Sequence, residues 1–133
     1  MSIIVDASVA VKWVTNEGDS ERAEAVFADE DELIAPDLIL AEVGNALWKK
    51  LQLKALTRAQ VQAASSVMPS YFSILVSCAE LAPNAVALAL DLDHPVYDCF
   101  YLALAARERG TLVTADDRLF AAARKAKVKA RML

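Results

Sequence analysis

Ser2-Ile3-Ile4-Val5-Asp6-Ala7-Ser8 is a short β-branched run that stops at a carboxylate and passes into helix-forming residues. It reads as a strand over Ser2 to Val5 and a short helix over Ala7 to Val14, which puts Asp6 at a strand-to-helix turn. The same grammar returns near the other end. There Thr111 to Thr114 reads as a strand, Ala115-Asp116 follows, and a helix runs from Asp116 to Ala126. Ligands of open α/β sheets bind at the carboxyl ends of the strands, which is where Asp6 and Asp116 fall.

Between these two units, caps and breakers divide the chain. Ser20 with its following acids starts a helix over Glu21 to Phe27, and Leu33 to Ala35 is a strand closed by Pro36. Leu38, Ile39, Ala46 and Leu47 give helical spacing to Asp37 to Leu53. Thr57 caps a helix that Pro69 limits at about Met68. Phe72 to Val76 is a candidate strand in a weakly marked segment. Pro83 suits the first turn of a helix through Leu92, and Tyr97 to Arg109 is a helix that stops at Gly110. A last strand covers Val128 to Met132. Strands alternating with helices imply a parallel sheet with helices on both faces.

The composition narrows the chemistry. At 133 residues, 24% charged and 56% hydrophobic, the chain fits a single domain over residues 1–133 with one core. Two cysteines, Cys78 and Cys99, are too few for a thiolate zinc site or a disulfide framework. They read as packing residues in a reducing, cytoplasmic protein. The longest apolar run, Cys99 to Ala106, is far short of the ~18 residues of a membrane span. The start of the chain lacks the basic residues of a secretory signal. Three scattered glycines exclude a dinucleotide or P-loop phosphate cradle, and a single histidine excludes a two-histidine ribonuclease mechanism. His94, beside Pro95 in a loop, reads as a surface residue. Charge is polarised: Met1 to Trp48 has eleven acids and two bases, whereas Arg118 onward has six bases and no acids. With net charge −4, the basic end reads as a solvated helix and tail.

Four carboxylates stand out. Asp6 and Asp116 each have a bland alternative as helix N-caps, shared in the second case with Asp117. Glu42 resists that reading, because Leu38, Ile39, Asn45 and Ala46 all lie within about 60° of it on the helix surface. A carboxylate on so apolar a face must pair with a base, hold a proton or face a metal-containing cavity. Asp98 opens a helix whose face Tyr101, Leu102 and Ala105 continue. It is a candidate cap that also points inward. If the four converge, each pair at 5 Å repels by roughly 3 kcal/mol at an effective dielectric of 20. Such a cluster calls for cations or protons. Oxygen donors alone favour Mg²⁺ or Mn²⁺, the ions of metal-assisted phosphodiester hydrolysis.

Val5-Asp6-Ala7-Ser8, Pro36-Asp37-Leu38 leading to Glu42 and Asn45, Tyr97-Asp98 before Tyr101 to Ala105, and Leu112 to Asp116 together resemble the ordered motifs of PIN-domain nucleases. The short chain is similar to the VapC toxins of type II toxin-antitoxin systems. The resemblance implies a three-layer α/β/α sandwich with a mostly parallel sheet, and a magnesium-dependent endoribonuclease. It makes Asp6 and Asp98 the principal metal ligands, with Glu42 and Asp116 completing the pocket and Ser8 and Thr114 supporting it. Asn45 is a further supporting residue, and Asp117 departs from the family pattern, which leaves open whether Asp116 or Asp117 faces the metal. It also implies an RNA substrate and a small antitoxin, whose apolar helix would lie along the 37–53 and 57–68 helices and whose basic side chain would enter the pocket. A homodimer is expected as well. Two other readings stay open: a receiver-like phosphoacceptor, and a catalytically silent PIN module that only binds.

Overall fold

The computed structural model describes residues 2–16, 18–28 and 31–133. Five parallel strands form one sheet in the order β3-β2-β1-β4-β5. They are β1 (Ser2–Val5), β2 (Glu32–Pro36), β3 (Ile74–Val76), β4 (Thr111–Thr114) and β5 (Ala130–Met132). The helices are α1 (Ala7–Trp13), α2 (Ser20–Ala28), α3 (Leu38–Gln52), α4 (Arg58–Val67), α5 (Cys78–Leu92), α6 (Val96–Glu108) and α7 (Asp117–Lys125), with a 3-10 turn at Met68–Tyr71. The chain winds outward from β1 through β2 to β3, crosses back, and winds the other way through β4 to β5. Order therefore reverses between β1 and β4, which opens a crevice above their carboxyl ends.

The central strands are buried on both faces, as a parallel sheet under two helical layers requires. Ile4, Val5, Leu112, Val113 and Thr114 are fully enclosed. On one face α1 packs on α2 and α3, and α3 on α4; α6 packs on β1, β2 and β4 and is covered by α5. The register pairs Val5 with Val113, so the turns after β1 and β4 leave the sheet side by side. Helices α1, α3 and α7 each follow a strand directly, so their N-termini gather at that same edge.

Three sequence expectations need correction, the simplest being the last strand, which forms over Ala130–Met132 and not from Val128. The helix expected to open at Pro83 begins five residues earlier, because the Ser77 hydroxyl accepts the Ala79 N–H at 3.1 Å and caps it. Pro83 is exposed and lies inside α5, where it removes one backbone hydrogen bond near the first turn. The strand expected over Phe72 to Val76 shortens to Ile74–Val76, since Phe72 follows the 3-10 turn and its ring packs 5.7 Å from Trp13. By contrast, Thr57 and Gln60 form the complete reciprocal cap of α4.

Gly110 has a role that no turn rule suggests. The left-handed residue ending α6 is Arg109, at φ 52°, not the glycine. A Cβ on Gly110 would stand 2.6 Å from the Ser2 carbonyl oxygen and 2.5 Å from Ile4 Cδ1. Glycine is needed there so that the chain entering β4 can lie against β1.

Candidate active site

Asp6 occupies the N-cap position of α1, but its side chain makes no capping bond. Instead Oδ1 accepts the Ser8 hydroxyl at 2.6 Å and Oδ2 accepts the Thr114 hydroxyl at 3.0 Å. Ser8 Oγ in turn accepts the Ala115 N–H, and Thr114 Oγ1 accepts the Asp116 N–H, both at 3.0 Å. The turns after β1 and β4 are thus laced together through one carboxylate. Only 6% of Asp6 is exposed, and its pKa rises from 3.8 to about 7. Burial is the largest cause, and the charges of Asp116 and Asp98 add to it against the two hydroxyls.

Glu42 projects from α3 one turn past its start. Tyr101 Oη, on buried α6, donates to Glu42 Oε1 at 2.6 Å. Burial raises the Glu42 carboxyl, the Tyr101 bond opposes this, and the charge of Asp98 reinforces it. Burial and the neighbouring Glu42 push the Tyr101 hydroxyl well above 10. Tyr101 is therefore a fixed donor that aims one oxygen of Glu42. Beyond it lies a cavity of about 280 Å³ lined by Ser8, Glu42, Asn45 and Lys49. Asn45 is exposed and bonds to none of the four carboxylates.

Asp98 lies in the first turn of α6, whose N-cap position belongs to Pro95. Its Oδ2 meets His94 Nε2 at 2.7 Å. With the carboxylate ionised the imidazole N–H is the donor. His94 is thus not the surface residue expected from its loop, because only 12% of its side chain is exposed. Asp116 does cap α7, through Oδ1 accepting the Arg118 N–H at 2.9 Å, yet its charge also bears on Asp6. Asp117 is exposed on the first turn. The cap and the inward carboxylate are therefore one residue.

Asp6 lies within electrostatic reach of Asp116 and Asp98, and Glu42 of Asp98. Among the described residues no Lys or Arg pairs with any of the four. Nor do three or more His, Cys, Asp or Glu side chains close on one point as a ready-made metal cage. The donor set nonetheless suits a hard cation that keeps most of its waters and needs one or two direct carboxylates. A deeply buried acid facing other acids, with no basic partner, is also what such a cation would neutralise. Cys78 adds no nucleophile, because burial and the Asp37 carboxylate push its thiol to about 11. Two functional contacts escaped the sequence: Tyr101 to Glu42, and His94 to Asp98. The second has a signal in its spacing of four residues, hidden by Pro95 and the start of a helix.

The PIN domain family profile matches residues 3–125. Ribonuclease VapC3 of Pyrobaculum aerophilum is 36% identical over 121 residues, covering 90% of this chain and 92% of that protein. Ribonuclease VapC1 of Mycobacterium tuberculosis is 31% identical over 121 residues, covering 90% and 89%. A solved structure from Pyrobaculum aerophilum superposes with a TM-score of 0.72 at 25% identity, over 92% of this chain and 87% of its own. The VapBC2 assembly of Rickettsia felis, solved on promoter DNA, superposes at 0.74 with 16% identity, over 100% and 99%. With the family profile spanning residues 3–125 and a relative named Ribonuclease VapC3 at 36% identity over 90% of this chain, the chain belongs to the PIN-domain family.

Proposed function

We propose that the chain is a metal-dependent endoribonuclease and the toxin of a toxin-antitoxin pair. The observation that carries this reading is the buried Asp6 carboxylate at the topological switch of the sheet, within electrostatic reach of Asp98 and Asp116, with Glu42 in reach of Asp98, and with no Lys or Arg paired to any of the four among the described residues. Relatives named as VapC ribonucleases support it. Asp6 and Asp98 would hold Mg²⁺ or Mn²⁺ directly, with Glu42 and Asp116 reaching it through water. When bound, the cation would acidify water and neutralise charge on the phosphodiester. Ser8 and Thr114 hold the Asp6 carboxylate still, one hydroxyl on each oxygen, and leave each oxygen a free lone pair. Tyr101 orients Glu42 and His94 orients Asp98 in the same sense.

The surface beside this centre suits an inhibitory partner. A cavity of about 370 Å³ lies between the end of α1 and helices α3 and α4, lined by Val14, Lys50, Leu56 and Gln60 among others. Trp48 on α3, Leu53 just past its end and Val67 on α4 are 52%, 80% and 41% exposed. An antitoxin helix along this face would reach the Glu42 cavity with a basic side chain. Desolvated charge pairs between proteins are coupled by about 1.5–7 kcal/mol, enough to hold the carboxylates against metal or substrate. Brief induction of the wild type should create new RNA 5′ ends and arrest growth, and Asp98→Asn should do neither. Equal growth arrest by Asp98→Asn would refute the catalytic reading and leave a binding module.

A further inference from the structure

His94, which bonds Asp98, also lines a recess of opposite character. A cavity of about 200 Å³ opens between the turn after α5 and one side of α7, with His94, Arg118 and Lys125 in its wall. Arg118 and Lys125 are seven residues apart, two turns along the helix, so they share a face. The small side chains of Ala121 and Ala122 lie between them and leave both cationic groups room. Neither base has an ion-pair partner among the described residues, and no carboxylate lines the cavity. The His94 imidazole is common to this recess and the Asp98 contact. His94 Nε2 is taken by Asp98, whereas Nδ1 has no hydrogen-bond partner among the described residues. Because every buried side-chain nitrogen and oxygen of the described residues has a partner, Nδ1 is accessible.

Such a recess solves a problem that the acidic centre creates. A polyanionic strand approaching four carboxylates is repelled, and a chain of net charge −4 offers no general attraction to offset this. We propose that the recess binds a backbone phosphate of the RNA substrate, flanking the bond presented to Asp6 and Asp98. Arg118 offers a planar fork of donors and Lys125 a mobile ammonium, a pairing that grips phosphate without reading bases. The proposal rests on the ribonuclease reading above and adds where the strand is held.

The test is equilibrium binding of a fluorescein-labelled single-stranded RNA, followed by anisotropy from 50 to 200 mM NaCl in EDTA so that nothing is cut. Arg118→Gln/Lys125→Gln should lose about tenfold in affinity at the lowest salt. Its plot of log affinity against log salt should be shallower by about 0.7 for one lost phosphate contact. Arg58→Gln, on α4, should match the wild type. A double variant with the wild-type slope overturns the proposal, and so does a loss that Arg58→Gln shares. Cleavage of the same RNA by the wild type with Mg²⁺ is read separately. If cleavage fails while the double variant still shows the shallower slope, the ribonuclease reading falls and the phosphate recess stands.

Discussion

Asp6 concentrates the physics of the site in one carboxyl group. It titrates near 3.8 in an unfolded chain and at about 7 in the folded one. Between those values the folded protein holds a proton that the unfolded chain has lost, so stability without metal must fall as pH rises from 4 through 7. Urea unfolding in EDTA should show that fall for the wild type and a much flatter curve for Asp6→Asn. At pH 8 the variant should be the more stable by roughly 1–3 kcal/mol, allowing for relaxation of a shift worth about 1.4 kcal/mol per pKa unit. A less stable Asp6→Asn would mean that the carboxylate is structural. For His94 the prediction is a loss of about tenfold in apparent Mg²⁺ affinity for His94→Ala, as for other groups that orient a metal ligand. His94→Gln, which keeps a donor, should recover most of it; titration calorimetry with Mg²⁺ reads both. The places of Asp6 and Asp116 at strand ends and of Glu42 and Asp98 on helices were legible in the sequence because strand ends and helix faces follow from local periodicity. The bonds that aim them were not, since Tyr101 and Glu42 are 59 residues apart and meet only through packing.

At the level of elements, the few glycines of the chain have a measurable cost. Four helix or turn ends place Lys54, Asp93, Arg109 and Lys127 in the left-handed region that glycine prefers. Lys127→Gly should therefore raise stability by about 0.5–1 kcal/mol in a thermal or urea melt, and a loss would show that the lysine has a compensating contact. Gly110→Ala should do the opposite. The new methyl meets the Ser2 carbonyl, a backbone atom that cannot rotate away, and the cost should be about 2–3 kcal/mol with β1 and β4 loosened against each other. Sequence punctuation located Gly110 as a stop but gave the wrong reason, because a close approach between distant strands has no local signature. The start of α5 was misplaced in a similar way. Pro83 is a strong local signal, yet Ser77 caps the helix earlier and the exposed position of the proline makes the lost bond tolerable. Strand order and the crevice between β1 and β4 likewise emerge only when the crossovers are in place.

Taken as a whole, the molecule separates charge by place. Asp6 stands at the switch of the sheet within reach of Asp98 and Asp116, exposed apolar side chains occur at Trp48 on α3 and at Leu53 just past its end, and Arg118 and Lys125, without an ion-pair partner among the described residues, line the recess that His94 also lines. This layout fits a substrate that is a polyanion, a cation that completes the centre, and a protein partner that covers it. No helix among the described residues is long and apolar enough to cross a membrane. All of this meets in cleavage of a labelled single-stranded RNA by the purified chain, first in excess EDTA and then with Mg²⁺ restored, for the wild type and for folded Asp6→Asn. The account predicts no cleavage in EDTA, recovery of internal cuts with Mg²⁺ for the wild type, and loss of at least about a hundredfold in rate for Asp6→Asn at every Mg²⁺ concentration. Undiminished cleavage in EDTA by contaminant-free protein, or an Asp6→Asn variant as active as the wild type, would contradict it.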